Sequence, residues 1–313
     1  MRLLITGASG LLGLNLALDA SRANQVIGVD RNTLVSAPFP VIKADLLDSH
    51  AVSRILVEAQ PDAVIHCAAM ADVDTCEANP ELARRTNADL PAKIAEACAL
   101  RQIRMIHIST DAVFSGQKSG PYSEFDQTNP RGVYATTKLE GEQRVLQTYP
   151  LASVARVNFY GWSLTGKRSL AEFFVNSLGR GWTVNGFTDV TFCPMFVNHL
   201  SEILATMLQR DLHGLYHVVG PQAMTKYQFA VEIARKFGFS ERLIAPQSVE
   251  KSGLTAPRSH NLWLSASKLS TDLQLNLPDF STGLDAFYGQ FQEGYPQKIR
   301  SYQQAAGAEI PDA

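Results

Sequence analysis

Apolar residues along the first half of the chain come in short, nearly continuous runs separated by longer segments of mixed character. Such runs are typical of strands buried on both faces of a parallel sheet, and the intervening segments have the length and spacing of helices. This alternation predicts an α/β fold, a doubly wound parallel sheet with helices on both faces. The predicted strands are residues 3–6, 25–29, 41–43, 63–66, 105–109 and 152–157, and the predicted helices are 49–59, 80–100 and 132–148, after a first helix through Leu14, Leu16 and Leu18.

Three glycines at a spacing of three residues lie between the first strand and the first helix. Gly7 permits the tight turn, Gly10 lets the backbone approach a pyrophosphate, and Gly13 lets the helix pack close to the strand. The free N–H groups at the start of the helix favour an anion. We therefore predict a Rossmann-like dinucleotide site formed by Gly7, Ser9, Gly10, Leu11, Leu12 and Gly13.

Charged residues after the second and third strands bear on the choice of cofactor. Asp30 can accept hydrogen bonds from the adenosine ribose hydroxyls, which favours NAD. Arg31 beside it could instead hold the extra phosphate of NADP. The expected cofactor is therefore NADP or NAD, with Asp45 and Leu46 placed to flank the adenine.

Tyr134 and Lys138 lie four residues apart in a predicted helix, so both side chains leave the same helix face. A neighbouring ammonium favours the phenolate, and a tyrosine tuned in this way can exchange a proton with a carbonyl/alcohol pair. Thr110 ends the strand before this helix and is predicted to hydrogen-bond the substrate carbonyl, with Ser109 as the alternative. The predicted catalytic residues are thus Thr110, Tyr134 and Lys138.

Two further segments are predicted to meet the cofactor. Cys67, Ala68 and Ala69 follow the fourth strand, where small residues let the cofactor lie against the strand end. Asn87, in the predicted helix 80–100, could hold a backbone group or a water near Lys138, or could be an ordinary surface residue.

The pattern becomes less regular after residue 157. Residues 197–209 and 225–237 are predicted helices, and 215–219 is a predicted strand that returns to the main sheet. We expect a dinucleotide-binding domain over residues 1–157, with 191–220 returning to its sheet, and a substrate-binding part over 158–190 and 221–300. Aromatic and cationic side chains in this part could stack on a base and bind a diphosphate, or belong to the core and to a solvated loop; they are Trp162, Lys167, Arg168, Phe173, Phe174 and Trp182. Residues 301–313 are predicted to be a frayed tail.

Composition excludes several classes of protein. The 313 residues carry a formal net charge of -2, so there is no broad basic field and nucleic acid is not an expected partner. No apolar run approaches the roughly 20 residues that a membrane span needs, and the first strand leaves no room for a signal peptide. The four cysteines lie far apart, which indicates free thiols rather than a metal site or disulfides. A cytoplasmic location is expected.

Four motifs of the chain together match the pattern of a known family: Gly7-x-x-Gly10-x-x-Gly13, Cys67-Ala68-Ala69, Ser109-Thr110-Asp111-x-Val113-Phe114 and Tyr134-x-x-x-Lys138. In these motifs the chain resembles the extended short-chain dehydrogenase/reductases, and among them its pattern is most similar to that of the dTDP-4-dehydrorhamnose reductases. The resemblance covers roughly residues 1–280. Three departures from the family pattern lie near the expected substrate position, at Ala112, Ala135 and Arg258-Ser259.

The resemblance implies hydride delivery from NADPH or NADH to the C4 ketone of a nucleotide-linked deoxysugar. Tyr134 would donate the proton, Lys138 would hold the nicotinamide ribose and lower the tyrosine pKa, and Thr110 would help to polarise the ketone. Two alternatives remain open: an epimerase or dehydratase with tightly bound NAD, and a non-catalytic subunit resembling the regulatory beta subunit of methionine adenosyltransferase. The expected partner is a nucleotide sugar, and a homodimer is a further expectation.

Overall fold

A seven-stranded sheet forms the centre of the molecule in the computed structural model, which describes residues 1–253 and 259–303. Every neighbouring pair of its strands is parallel. The predicted α/β fold is therefore confirmed. In spatial order the strands are β11 (Gly214–Val218), β6 (Ser153–Val157), β5 (Arg104–Thr110), β4 (Ala63–His66), β1 (Arg2–Thr6), β2 (Gln25–Asp30) and β3 (Val41–Lys43).

Helices cover both faces of this sheet. Successive strand residues point to opposite faces, so Ile5 belongs to one core cluster and Leu4 to the other. The Ile5 face packs against α1 (Leu11–Ala20) and α8 (Val197–Gln209). The Leu4 face packs against α2 (Ala51–Ala59), α5 (Leu90–Ala99) and α6 (Gly132–Thr148).

The order of the strands fixes where a ligand can bind. The chain runs from β1 outward through β2 and β3, then crosses to the other side of β1 to build β4, β5 and β6. In such sheets ligands bind at the carboxyl edge, in the crevice where the strand order reverses. That crevice lies between the ends of β1 and β4, at Thr6 and His66.

The predicted helix 80–100 is wrong in one respect, because it is interrupted. Helix α4 (Pro80–Arg84) passes into a π-helical turn (Arg85–Asp89) before α5 begins; the short helix α3 (Val73–Ala78) precedes it. Pro91 has no N–H to donate to the carbonyl of Asn87, and that carbonyl lies so close to α6 that a Cβ on Gly141 would stand 2.2 Å from it. The wider turn lets the chain pass this crossing, and π turns of this kind are frequent at functional sites.

The remaining chain packs as shorter elements around a core of aromatic side chains. Within it, β11 returns to the main sheet beside β6. The other strands are only two to four residues long, which is too short for the pattern of apolar and polar residues to predict them. They are β7 (Phe159–Tyr160), β8 (Val184–Phe187), β9 (Thr191–Phe192), β10 (Met195–Phe196), β12 (Met224–Thr225), β13 (Ile244–Gln247) and β14 (Asn261–Leu262), with helices α7 (Leu170–Leu178), α9 (Lys226–Phe237), α10 (Ser267–Leu273), α11 (Phe280–Gln292) and α12 (Tyr295–Arg300).

The first residues of the predicted tail are ordered. Tyr302 is buried and its carbonyl accepts the N–H of Val35 at 2.9 Å, while Gln303 bridges to Leu34. Frayed structure at residues 301–303 was therefore a wrong expectation, and residues 304–313 lie outside the described part of the chain, as does Arg258. Over the described ranges, the structure contains no helix with the length and apolar character needed to cross a membrane.

Candidate active site

The glycine turn after β1 is a cradle formed by backbone alone. Gly7 has a φ of +70°, and its N–H donates to the carbonyl of Val29 at 2.8 Å. A Cβ on Gly7 would lie 2.8 Å from the nitrogen of Ala68, and one on Gly13 would lie 2.1 Å from the Gly7 carbonyl oxygen. Side chains at these two positions would therefore separate β1, α1 and the loop after β4, which meet here.

The start of α1 is suited to an anion. Gly10 caps the helix without a side-chain hydrogen bond, and its first turn carries no acidic residue. Leu11 and Leu12 are buried, so toward the cleft they offer backbone N–H groups rather than side chains. A helix start of this kind, behind a cradle without side chains, fits the diphosphate of a dinucleotide.

Asp30 joins the end of β2 to this cradle. Its Oδ2 accepts the N–H of Ser9 at 2.9 Å, and its Oδ1 accepts the N–H of Asn32 at 3.0 Å. Arg31 is exposed to solvent. The carboxylate thus lies beside the glycine turn, where the ribose of an adenosine would be held, and it is fixed there by two backbone donors.

Asp45 and Leu46 follow β3 on the same edge. Asp45 is exposed, and its Oδ1 accepts the N–H of Leu47 at 2.9 Å, which closes the turn after this strand. Leu46 packs against the core beneath. The carbonyl of Asp30 accepts the N–H of Ala44 at 2.9 Å, so this turn is tied to the end of β2.

Asn87 organises the loop after β4. Its side chain is 1% exposed, so the surface alternative is wrong. The amide accepts the N–H of Met70 at 2.9 Å, donates to the Met70 carbonyl at 3.0 Å and donates to the Thr137 hydroxyl at 3.2 Å. Asn87 therefore connects the loop that carries Ala68 and Ala69 to the helix that carries Tyr134.

Cys67 is an unreactive member of this loop. Burial raises the pKa of its thiol to about 12, so it remains protonated at neutral pH. Ala68 donates its N–H to the Thr6 hydroxyl at 3.2 Å, and Ala69 is exposed. The loop thus offers small side chains and backbone to the cleft rather than a nucleophile.

The hydroxyl of Tyr134 lies close enough to the side chain of Thr110, at the carboxyl edge of β5, for the threonine hydroxyl to lower the tyrosine pKa in part. Burial, with a smaller contribution from the nearby Asp111 carboxylate, raises the tyrosine pKa to about 12. The expectation that Lys138 lowers this pKa is therefore wrong in this structure. The ammonium is directed at the strand instead, which leaves burial as the dominant influence on the phenol.

Lys138 is fully enclosed at the end of β5. Its Nζ donates to the carbonyl of Ile108 at 2.6 Å and lies 3.5 Å from Nε2 of His107. Burial lowers the pKa of the ammonium to about 8, although the Glu142 carboxylate acts in the opposite direction. The lysine thus stays charged at neutral pH and loses its charge as the pH rises through about 8.

Ser109, the alternative to Thr110, faces away from Tyr134. Its hydroxyl donates to Glu142, which forms a buried ion pair with Arg156 at 2.7 Å. Thr110 is consequently the hydroxyl of this pair that lies against the tyrosine.

Asp111 is a site residue that the sequence reasoning quoted only as part of a motif. It is buried, accepts a hydrogen bond from Nδ2 of Asn158, and has its pKa raised to about 6 by burial. Its position directly after Thr110, at the end of a strand, was the signal available in the sequence. Lys226 lies close enough to oppose this shift in the Asp111 pKa, and its ammonium is 5.8 Å from the centre of the Phe187 ring.

The aromatic and basic residues expected on the substrate side divide between core and surface. Trp162 is 1% exposed and stacks on Phe287 at 4.1 Å, so it cannot stack on a base. Phe174 is also buried, whereas Phe173 and Trp182 are exposed on the surface. Lys167 and Arg168 lie in an exposed loop.

The sheet, the glycine cradle and the Tyr134/Lys138 helix together define the class of short-chain dehydrogenase/reductase-type oxidoreductases. Within this class, the model of the RmlD substrate binding domain matches residues 1–293, and the chain belongs to that family.

Known relatives share most of the chain's length. A dTDP-4-dehydrorhamnose reductase of Mycobacterium tuberculosis is 36% identical over 82% of this chain and 83% of its own. The methionine adenosyltransferase 2 subunit beta of Danio rerio is 30% identical over 86% and 84%. A dTDP-4-dehydrorhamnose reductase of Bacillus anthracis, solved in complex with NADP, is 25% identical, covers 92% and 99% of the two chains, and superposes with a TM-score of 0.84.

Proposed function

We propose that this protein is an NAD(P)H-dependent reductase of a 4-keto nucleotide-linked deoxysugar, similar to dTDP-4-dehydrorhamnose reductase, with Tyr134 as the proton donor. The observation that carries the proposal is the approach of the Tyr134 and Thr110 side chains at the carboxyl edge of the sheet, beside a cradle suited to a dinucleotide. Two hydroxyls that meet there can together hold a ketone oxygen.

The protonation state of Tyr134 suits reduction. With a pKa of about 12, the phenol keeps its proton at neutral pH and is ready to donate it. Reduction converts the ketone oxygen into an alkoxide, which is a stronger base than a phenolate, so the proton passes from Tyr134 to that oxygen. Thr110 holds the same oxygen from the end of β5. When bound, the reduced dinucleotide supplies the hydride.

The residues of the cradle would hold this cofactor. The first N–H groups of α1, with Gly7 and Gly10, would hold its diphosphate, and Asp30 would hold the adenosine ribose. Lys138 would hold the nicotinamide ribose with its buried ammonium. NADP is supported by the similar reductase solved with it, and NAD by the carboxylate of Asp30.

Two other functions use the same scaffold. An epimerase or dehydratase would retain NAD and recycle it, whereas a regulatory subunit would act through a partner. The Danio rerio relative is named as a subunit of methionine adenosyltransferase 2. The 36% identity to a named reductase favours the reductase. The intact Tyr134 and Lys138 weaken the non-catalytic alternative but do not separate a reductase from an epimerase. Protein that purifies with stoichiometric NAD and does not oxidise added NADPH would favour the epimerase.

The phenol is tested by Tyr134→Phe, which removes one oxygen atom. Turnover of a dTDP-linked 4-keto sugar should fall by roughly 10²- to 10⁴-fold, the usual contribution of general acid catalysis, because the alkoxide loses its proton source. NAD(P)H affinity, measured by fluorescence titration, should stay within about twofold.

Tyr149→Phe is the matched control, since Tyr149 caps the far end of the same helix and is also buried. It should turn over substrate at the normal rate. Equal activity of the Tyr134 variant and the wild type would remove Tyr134 from the mechanism. If neither protein turns over any nucleotide sugar but both bind a larger enzyme, the regulatory function is correct.

A further inference from the structure

Two histidines lie stacked beneath the cleft and have no part in the mechanism above. His66 at the end of β4 and His107 on β5 are register partners in the sheet, with ring centres 5.4 Å apart. Both side chains are 1% exposed. Burying two titratable rings side by side is costly unless their polar atoms are used, so a role for them is expected.

His107 reaches the catalytic helix. Its Nε2 lies 3.5 Å from the Lys138 ammonium, whose second acceptor is the Ile108 carbonyl at 2.6 Å. An ammonium has three N–H donors. Within residues 1–253 and 259–303 these two acceptors, both on β5, engage two of the N–H groups, and the third has no acceptor there.

We propose that His107 is a positioning residue, which as a neutral hydrogen-bond acceptor fixes the Lys138 ammonium at the end of β5 and leaves one N–H for the nicotinamide ribose. The inference rests on the proposed function, because it assigns Lys138 to the cofactor. The inference adds His107 as a residue by which the sheet orients the Lys138 side chain.

The contact with Lys138 requires one tautomer of His107. An ammonium can only donate, so in this contact Nε2 accepts and the ring proton is on Nδ1, which has no hydrogen-bond partner among the described residues. Burial, together with Lys138 and His66, holds the pKa of His107 well below its usual range, so the ring is neutral at working pH. A neutral acceptor stabilises the buried cation without cancelling its charge.

The other groups that face Lys138 do not replace this contact. The Cys67 thiol stays neutral because burial raises its pKa to about 12. Glu142, one turn further along the same helix, is paired with Arg156. His66 is also kept neutral, its pKa lowered to about 3 by burial and by Lys138, and its Nδ1 lies 2.7 Å from the Thr6 hydroxyl.

The same cluster connects the lysine to the cradle. The Thr6 hydroxyl that meets His66 also accepts the N–H of Ala68 at 3.2 Å, in the loop that approaches Gly7. The ends of β1, β4 and β5 are thus held by one buried polar cluster, which places the lysine and the cradle on a common frame.

The tautomer can be measured on the wild-type protein without substrate, by ¹⁵N NMR of labelled histidine. We expect the His107 signals to show a proton on Nδ1 and an unprotonated Nε2 between pH 6 and pH 8. A proton on Nε2 would overturn the proposal, whether or not the protein proves to be a reductase. The result therefore separates this inference from the proposed function.

A pair of variants tests the effect on the lysine. His107→Leu removes the acceptor, whereas His107→Gln retains one on a side chain of similar size. Losing an acceptor should lower the Lys138 pKa by about one unit, because the hydrogen bond stabilises the charged lysine more than the neutral one. Since half of the lysine is charged at pH 8, turnover and NAD(P)H affinity of the Leu variant should fall there by about fivefold.

At pH 6 the lysine is charged in all three proteins, so the Leu variant should recover to within about twofold and the Gln variant should match the wild type throughout. Losses that are equal at pH 6 and pH 8, or equal in the two variants, would indicate packing alone and overturn the proposal. If the Leu variant does not fold, the tautomer measurement decides. If the wild type reduces no nucleotide sugar, the pH dependence of NAD(P)H affinity serves in place of turnover.

Discussion

The glycine cradle and the second half of the chain are built on opposite principles. The cradle depends on missing side chains, because a Cβ at Gly7 or Gly13 would collide with backbone atoms. The second half depends on large side chains, with Trp162 stacked on Phe287 in a buried aromatic core. Few structural roles require a glycine, so a glycine motif indicates a specific backbone arrangement. An aromatic residue can equally belong to the hydrophobic core or contact a ligand. Function was therefore easier to infer from the first half of the chain than from the second.

The largest expected effect comes from breaking the aromatic core. Trp162→Ala should lower the free energy of unfolding by about 3–5 kcal/mol, since it removes a fully buried indole and its hydrogen bond to the Phe287 carbonyl. Denaturant unfolding followed by circular dichroism measures this loss. Substrate KM in the folded fraction should be unchanged, because the indole does not reach the cleft.

Trp182→Ala provides the control for the same substitution at the surface. Trp182 is 56% exposed and contacts Arg180, so its loss should change stability by less than about 0.5 kcal/mol. Comparable destabilisation by the two substitutions would show that the indole of Trp162 is not the centre of this core. A rise in KM for Trp162→Ala at normal stability would return that residue to the substrate site.

An intermediate effect is expected when a methyl group is added to the glycine cradle. Gly13→Ala places a Cβ 2.1 Å from the Gly7 carbonyl oxygen, so β1 and α1 must separate at a cost of about 1–3 kcal/mol. The cradle widens with them, and NAD(P)H affinity should fall by more than tenfold in a fluorescence titration.

Gly10→Ala is the control for this substitution, because it causes a smaller steric conflict. There the added atom would stand 3.0 Å from the same oxygen, which a small shift can relieve, and the φ of Gly10 is -73°, which any residue adopts. Stability should change little, and any loss of affinity would report contact with the diphosphate itself. Equal destabilisation by both alanines would mean that the packing of α1 on β1 is not what Gly13 provides.

The regular part of the fold follows from the sequence because each strand is short, apolar and followed by a turn or helix signal. Residues 41–43 and 132–148 were predicted with the bounds that the structure has. The π turn at Arg85–Asp89 was missed, since it arises from a crossing with α6 that no local pattern records. Pro91, inside a predicted helix, was the one available warning.

The candidate site was likewise predictable only in part. Spacing along a helix placed Tyr134 and Lys138 on one face, and strand ends placed Thr110 beside them. Spacing could not supply the direction of the lysine, which is set by the Ile108 carbonyl and His107 on a strand thirty residues away. The predicted decrease in the Tyr134 pKa was wrong for that reason, because an ammonium lowers the pKa of a phenol only when it lies close to it.

The smallest expected effect concerns the choice between the two cofactors. Asp30→Ala should weaken NADH by about tenfold, or about 1.4 kcal/mol, and NADPH by less, because only the ribose hydroxyls of NADH need the carboxylate. Since this carboxylate also accepts the N–H groups of Ser9 and Asn32, the alanine variant removes a turn contact as well.

Asp30→Asn separates the two roles: it keeps an acceptor for one N–H and removes the negative charge that repels a 2′-phosphate. If the charge sets the cofactor preference, the asparagine variant gains NADPH affinity while its melting temperature stays near that of the wild type. If the affinities for NADH and NADPH fall equally in both variants, Asp30 shapes the turn, and Arg31→Ala becomes the next variant to measure.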